Sequence, residues 1–171
     1  MMDLQPVLEG PRLRLRPLVA GDFDALYAVA CDPLIWALHP CSNRHERPVF
    51  EAFFAAAIVS NGAFAVTNRF TGAIVGSSRY YDLDAKGESV AIGYTFLARK
   101  LWGGDFNREM KTLMLDHAFK TVRSALFHVG EHNLRSRRAM EKLGARMTGR
   151  LDRLKPDGSP DPTVVFELRP R

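Results

Sequence analysis

One stretch, residues 90–119, constrains the fold of this chain more than any other. It starts with an apolar run typical of a buried strand, passes through a turn that contains Gly103 and Gly104, and ends in a segment that is apolar nearly all round, as buried helices are. A strand that leads through a turn into a helix directs unpaired backbone N–H groups and the positive end of the helix dipole to one place. Such a place favours an anion, most often a phosphate.

The length and composition indicate one globular domain that covers residues 1–171. Apolar residues make up 46% and charged residues 25% of the chain, which argues against disorder. The net charge of +5 and the pI near 9.5 suit an anionic partner such as a nucleotide cofactor or a nucleic acid. A slightly basic surface without a special partner explains the same charge equally well.

The cysteines and the apolar runs bear on the cellular location. Cys31 and Cys41 form neither a disulfide framework nor a CxxC motif, so we expect a cytoplasmic protein. Residues 1–10 lack a basic segment followed by an apolar run, so we expect no signal peptide. The longest apolar run, residues 53–59, is too short to span a membrane.

The rest of the chain alternates between patterns with a period of two residues and patterns with helical spacing. This order predicts a mixed α/β fold in which one strand–helix–strand crossover lies in the middle. We predict strands at residues 12–18, 63–68, 73–82, 88–97, 125–130, 145–154 and 163–169, and helices at 22–30, 48–60, 107–122 and 133–143, with a loop or short helix between 33 and 43.

The turn at residues 99–107 is the first candidate site. Gly103 and Gly104 allow the backbone to approach a ligand, and Asn107 can cap the following helix. The sequence is neither a Walker loop nor a GxGxxG motif, so an ordinary turn remains an alternative to a phosphate site.

The segment 133–144 is the second candidate site. Asn133, Ser136, Met140 and Leu143 fall on one face of the predicted helix, and Ser136 is a small polar group one turn into that helix. Met140 and Leu143 are most simply core residues, and the Ser136 hydroxyl could be satisfied by its own turn.

Several short motifs occur in one order along nearly the whole chain, at residues 13–17, 75–78, 92–95, 102–104, 133–144 and 157–158. Together they resemble the GCN5-related N-acetyltransferases (GNAT), and within them the branch of ribosomal-protein N-terminal acetyltransferases and their bacterial relatives. The resemblance implies a mixed, mostly antiparallel central sheet of about seven strands flanked by helices. It also implies that the fourth and fifth of these strands splay apart around a cofactor.

The resemblance further implies transfer of an acetyl group from acetyl-CoA, as co-substrate, to a primary amine. The backbone of Phe96 and Leu97 would pair with the pantetheine arm, and Asn133 would help to hold that arm. The turn that would wrap the pyrophosphate consists of Trp102, Gly103, Gly104, Asp105, Phe106, Asn107 and Arg108.

The chain departs from the family pattern at three points. Asp105 and Asn107 stand where small residues are usual, Ala91 stands where a glutamate is frequent, and Met140 stands where many relatives have a tyrosine acid. Proton transfer must then use other groups. Glu88 could accept a proton through water, although an exposed strand-end glutamate is the simpler interpretation. Close relatives suggest Ser136 as the group that assists the departing thiolate in a direct transfer within a ternary complex.

The predicted acceptor is an amine-bearing small molecule or a peptide N-terminus, shaped by residues 34–60 and 155–162. Ribosomal-protein N-termini, other peptides, amino acids, polyamines and antibiotics all remain open. We expect no metal, because no HExxH motif or Cys/His set occurs. We expect no nucleic-acid binding, because Arg135, Arg137 and Arg138 lack interleaved aromatic residues. A homodimer is possible, and the alternative to an enzyme is a CoA-binding module that has lost catalysis.

Overall fold

The computed structural model describes residues 1–84, 86, 88–155 and 157–171. An eight-stranded sheet of order β1-β2-β3-β4-β5-β6-β8-β7 forms its centre, and five α-helices cover it. The strands are β1 Leu8–Glu9, β2 Leu13–Pro17, β3 Ala63–Asn68, β4 Ile74–Tyr81, β5 Ser89–Leu97, β6 Ser124–Gly130, β7 Arg146–Leu154 and β8 Pro160–Leu168. The helices are α1 Phe23–Ala30, α2 Pro33–Trp36, α3 Arg47–Ser60, α4 Phe106–Ala118 and α5 Leu134–Leu143.

The predicted fold class is confirmed, with a few local corrections. All seven predicted strands are present, and the additional strand β1 pairs antiparallel with β2, so the predicted fourth and fifth strands are β5 and β6. Helix α4 ends at Ala118 rather than at residue 122, because the N–H groups of Thr121 and Val122 both bond to the Ala118 carbonyl and close the helix in a turn. Pro156, in the predicted acceptor turn 155–162, lies outside the described residues.

Two hydrophobic cores lie on opposite faces of the sheet. On one face α4 buries Met110 and Met114 against β5 and β6. On the other face, which we call the α1–α3 face, Phe50 of α3 and Trp36 pack against Phe96 of β5. Because each face is covered, β4 is buried along most of its length and β5 along much of it, as central strands are.

Strands β5 and β6 pair only at one end. Their parallel pairing runs from Ser89 with Ser124 to Ala91 with Leu126, and β6 then continues to Gly130 paired with β8 alone. The remainder of β5 has no strand beside it on the β6 side among the described residues. The two strands therefore separate and leave a gap in the middle of the sheet, as the resemblance implied.

A β-bulge lies on β5 beside this gap. The pairing of β4 with β5 shifts between Ser77 and Arg79, so that Tyr94 and Thr95 together stand opposite one residue of β4. Tyr94 adopts a left-handed conformation with φ of 52°, which is uncommon for a residue other than glycine. As a result, the Tyr94 side chain lies on the α1–α3 face and the Thr95 side chain on the α4 face.

Candidate active site

The start of α4 presents free backbone donors at the mouth of the gap. The N–H of Glu109 bonds to the Asp105 carbonyl, which leaves the N–H groups of Phe106, Asn107 and Arg108 without a partner inside the helix. Asp105, and not Asn107 as predicted, occupies the N-cap position, since the helix begins one residue earlier. The Asp105 side chain is exposed and does not cap the helix.

Glu109 fixes this helix start to the sheet. Its carboxylate accepts the backbone N–H of Leu13 at 2.7 Å and that of Arg12 at 3.2 Å, and it also pairs with the Arg12 guanidinium. The Arg12 guanidinium in turn stacks over the Phe106 ring at 4.1 Å. These contacts hold the N-terminal turn of α4 against β2, so the free N–H groups keep a fixed direction.

The turn before α4 is shaped by Gly103 and by Trp102. Gly103 has φ of 76°, and no atom lies within 4 Å of the position of a Cβ, so the backbone conformation and not crowding requires glycine there. The Trp102 indole donates to the Leu97 carbonyl at 3.0 Å, and the Arg135 guanidinium lies 3.7 Å above its ring. Trp102 thus joins the end of β5 to the start of α5.

The backbone groups of Phe96 and Leu97 face opposite directions. The Phe96 carbonyl points to β4, 2.1 Å from where a Cβ on Gly76 would stand, so only glycine fits at that position. The Ala98 N–H also points to β4, where it bonds to Val75. Leu97 therefore presents its backbone to the gap. The sequence grouped Phe96 with Leu97, but the Phe96 side chain is part of the aromatic core on the α1–α3 face.

The start of α5 lies across the gap from β5. Asn133 is buried and caps α5, since its side-chain oxygen accepts the N–H of Ser136 at 3.3 Å. This confirms the predicted cap. Ser136 is half-buried in the first turn of the same helix. The structure thus places Asn133 and Ser136 next to each other at the end of β6, the strand on the far side of the gap.

Glu88 is not brought together with these residues. It precedes β5 at the end where β5 and β6 are still paired, and its exposed side chain forms an ion pair with Arg123 at 3.4 Å. Six residues separate it from Tyr94, which corresponds to about 20 Å along a strand. The structure gives the predicted role of Glu88 in proton transfer no geometric support.

A buried lysine lies on the α4 face of the gap. Lys111 is 4% exposed, and its Nζ donates to Thr95 Oγ1 at 2.8 Å, while Thr95 shares a second hydrogen bond of 2.8 Å with Ser78. Burial lowers the pKa of Lys111 to about 7. Lys111 was not among the predicted site residues, although it falls on the apolar stripe of α4 with Met114, Leu115 and Ala118.

A buried arginine lies on the opposite, α1–α3 face. Arg79 of β4 is 6% exposed, and its guanidinium stacks on the Tyr94 ring at 3.9 Å from the ring centre. Arg44, from the loop before α3, lies 4.5 Å from the centre of the Phe53 ring, and Arg79 lies 5.6 Å from the centre of the same ring. Arg44 and Phe53 belong to the segment predicted to shape the acceptor site.

A polar chain continues across the gap on this face. Tyr81 of β4 shares a hydrogen bond of 3.0 Å with His128 Nδ1 on β6, and Arg153 of β7 approaches the same nitrogen at 3.1 Å. The Tyr81 ring also packs edge-on against Tyr94 at 5.0 Å. Burial, and secondly the positive charge of Arg153, lowers the pKa of His128, so the imidazole is a neutral group at neutral pH.

Among the residues that the structure describes, no group of three or more His, Cys, Asp or Glu side chains is arranged to hold a metal ion. No helix in this part of the chain combines the length and the apolar character needed to cross a membrane.

Comparison with known proteins connects this geometry to a family. Residues 12–146 match the sequence model of the family described as "Acetyltransferase (GNAT) domain". No curated protein matches the chain. A protein from T. thermophilus, described as a candidate acetyltransferase, is 26% identical with a TM-score of 0.78, over 99% of this chain and 92% of that one.

Two other solved structures share the fold at lower identity. A GCN5-related N-acetyltransferase from Brucella melitensis is 23% identical with a TM-score of 0.79, over 96% of this chain and 79% of that one. Mycobacterium smegmatis RimJ in complex with CoA-disulfide is 20% identical with a TM-score of 0.75, over 99% of this chain and 90% of that one.

Proposed function

The chain belongs to the GNAT acetyltransferase family, and from this premise we propose that it transfers the acetyl group of acetyl-CoA directly to a primary amine in a ternary complex. The amine is the α-amine of a peptide or protein N-terminus, or that of a small molecule. The observation that carries the proposal is the gap between β5 and β6, with free N–H groups of α4 at its mouth and Asn133 and Ser136 on its far side.

The residues at the mouth of the gap fit a CoA pyrophosphate. Free N–H groups at the start of a helix, together with the dipole of α4, form an anion-binding site. The exposed side chains of Lys100 and Arg108 add positive charge. Asp105 opposes binding, but its exposed carboxylate is free to turn to solvent. Gly103 adopts the left-handed backbone conformation of this turn and presents no side chain to a bound ligand.

The residues inside the gap fit the remainder of the co-substrate. The Leu97 N–H faces the gap, and the Leu97 carbonyl retains a second lone pair beside its bond to Trp102. Both are suited to the amide groups of a pantetheine arm. Asn133, buried at the N-cap of α5, would help to hold that arm from the far side of the gap. Acetyl-CoA supplies an acyl group on a thioester, whose carbon–sulfur bond breaks as the carbon–nitrogen bond to the amine forms.

The side chains of this protein position the reactants and stabilise the leaving thiolate, which takes up its proton from water. The Ser136 hydroxyl, in the first turn of α5, donates a hydrogen bond to the departing sulfur. The amine must arrive neutral, and an α-amine with a pKa of about 8 reaches that form near neutral pH with little help. Its proton leaves through water, because Glu88 lies far along β5 from the bulge. Catalysis then depends mainly on orientation and on polarisation by backbone N–H groups.

A thiol-release assay with acetyl-CoA and a panel of primary amines tests this function. The expected result is release of one CoA thiol for each acetylated amine, with the rate dependent on both substrates. Calorimetric titration with CoA provides the control for binding. Tight CoA binding without turnover of any amine would instead support a CoA-binding module without catalysis. Absence of both CoA binding and turnover would remove the proposed site as well.

A further inference from the structure

Arg79 is buried with hydrogen-bond donors that have no acceptor. Its Nε and Nη2 atoms are shielded from solvent and have no hydrogen-bond partner among the residues that the structure describes. The Tyr94 ring face lies 3.9 Å from its Cζ and attracts the charge, but it is a weak acceptor for N–H groups. A guanidinium stays protonated even when burial lowers its pKa, so it cannot relieve this cost by losing a proton.

The unsatisfied donors lie beside the gap on the α1–α3 face, next to aromatic rings that an approaching anion would have to displace. Arg79 stacks on Tyr94, which stands in the bulge of β5 beside the gap. The same face carries Phe53 of α3, whose ring centre is 5.6 Å from Arg79 Cζ. The Leu97 backbone and the α4 donors, which we propose bind the co-substrate, come after the bulge along the chain. An anion bound to Arg79 would therefore sit on the acceptor side, near the bulge.

Several positive charges converge on this face. Arg44 lies close enough to Arg79 to lower its pKa, although burial has the larger effect. Burial, with Arg44, Arg135 and Lys155 in that order, lowers the pKa of His39 to about 3. Arg44 and Arg79 are positive charges that form no ion pair with a carboxylate among the described residues.

Resting on the proposed function, we propose that the acceptor is a primary amine that also carries a carboxylate, and that Arg79 binds this carboxylate with Arg44 as a second positive charge. The planar fork of a guanidinium matches the two oxygens of a carboxylate. Free amino acids and peptides with an acidic residue near the N-terminus meet this description. Polyamines and aminoglycosides would bring further positive charge against two guanidinium groups and are disfavoured.

Acceptor pairs with and without a carboxylate test this proposal, with kcat/KM expressed per neutral amine because a carboxylate next to the amine raises the pKa of that amine. We would measure kcat/KM for alanine against alaninamide, and for amidated Ala-Glu against amidated Ala-Gln, with spermidine as a cationic comparison. We expect kcat/KM for at least one carboxylate-bearing acceptor to exceed that of its amide by about ten-fold to one-hundred-fold, the range for hydrogen bonds to charged groups. In Arg79→Met that preference disappears because only the carboxylate member slows.

Four further measurements keep the test decisive. Arg138→Met, which removes an exposed charge from α5, should retain the preference. Thermal unfolding of Arg79→Met should match or exceed wild type, because an unpaired buried charge is removed. Arg44→Met, at a half-buried position, should weaken the preference in the same direction. Calorimetric binding of N-acetylalanine and of N-acetylalaninamide to the CoA complex repeats the comparison without turnover.

The results separate the two proposals. Equal kcat/KM and equal binding for both members of each pair, or a preference for spermidine, would overturn the carboxylate proposal while leaving acetyl transfer intact. Retention of the preference in Arg79→Met would also overturn it. Arg79→Met could instead change the preference between acetyl-CoA and succinyl-CoA without any effect on the acceptor pairs. That result would assign the anion to the acyl group and would also overturn the carboxylate proposal. Failure of acetyl-CoA to bind or react would count against the proposed function.

Discussion

The two faces of the sheet each bury one cation beside the gap, and they do so in different ways. Lys111, on the α4 face, donates to Thr95, and burial brings its pKa to about 7. Arg79, on the α1–α3 face, has buried donors without an acceptor among the described residues. A lysine can shed its proton when burial is too costly, but an arginine cannot. Lys111 therefore has its hydrogen-bond partner within the protein, whereas we propose that Arg79 binds an anion from outside it.

The largest expected effect concerns the pH dependence of stability at Lys111. An unfolded lysine keeps its proton up to about pH 10.4, whereas folded Lys111 loses it near pH 7. Between these values the unfolded state binds more protons, so the wild type gains stability as the pH rises. Lys111→Met should be more stable than wild type at pH 7, and this advantage should shrink by roughly 3 kcal/mol by pH 10. Chemical denaturation at several pH values measures it.

The matched control for this prediction is Lys120→Met, which changes an exposed lysine just after α4. The difference in free energy of unfolding between Lys120→Met and wild type should stay nearly constant between pH 7 and pH 10. A Lys111→Met difference that stays constant from pH 7 to pH 10 would mean that Lys111 remains charged when buried. The contrast between the two cations would then be lost.

The next effect separates catalysis from stability on the far side of the gap. Asn133 caps α5 through the backbone N–H of Ser136, so Ser136→Ala leaves this cap intact. We expect Ser136→Ala to lower kcat about 100-fold, the lower end for loss of one hydrogen-bond donor to developing negative charge, without loss of stability. Asn133→Ala should lower turnover and also cost about 1 kcal/mol of stability through the lost cap. Steady-state kinetics and thermal unfolding of the two variants measure both quantities.

The pair of variants also gives the outcome that would remove this assignment. Unchanged turnover in both variants would show that the start of α5 only supports the fold. Equal losses of stability would show instead that the Ser136 hydroxyl has a structural role that the cap geometry does not require.

The smallest effect concerns the carboxylate beside the proposed pyrophosphate site. Asp105→Asn removes a negative charge near the α4 donors but keeps a side chain able to cap a helix. A charge at about 4 Å in water contributes on the order of 1 kcal/mol, so CoA affinity should rise roughly five-fold. Asp116→Asn makes the same change at an exposed position of α4 farther from its start and should have little effect. Equal affinities for both variants would place the pyrophosphate away from α4.

Much of the fold could be predicted because its signals are local. The alternation at residues 12–18 and the apolar run of β5 define strands by themselves, and Asn133 with Gly144 marks both ends of α5. The predicted start of α4 was less accurate. Whether Asp105 or Asn107 is the N-cap depends on the hydrogen bond between the Glu109 carboxylate and Leu13 of β2. That contact joins residues 96 positions apart and leaves no local pattern.

The candidate site could be predicted only in part. The glycines of the turn and the residues at the start of α5 can be recognised in the sequence. The roles of Lys111 and Arg79, by contrast, depend on the residues that surround them in the fold. Lys111 on the apolar stripe of α4 was a usable signal, since a charge at that spacing must be buried or distort the helix. Arg79 stands among Ser77, Ser78 and two tyrosines, and nothing local distinguishes a buried arginine from a solvated one there.

The most direct test of the account is a crystal structure of the protein with CoA and the N-acetylated product of a carboxylate-bearing amine. The account predicts pyrophosphate oxygens within hydrogen-bond distance of the N–H groups of Asn107 and Arg108, and the product carboxylate on the guanidinium of Arg79. A CoA molecule bound outside the gap between β5 and β6 would contradict the account, as would a product that leaves the buried donors of Arg79 without a partner.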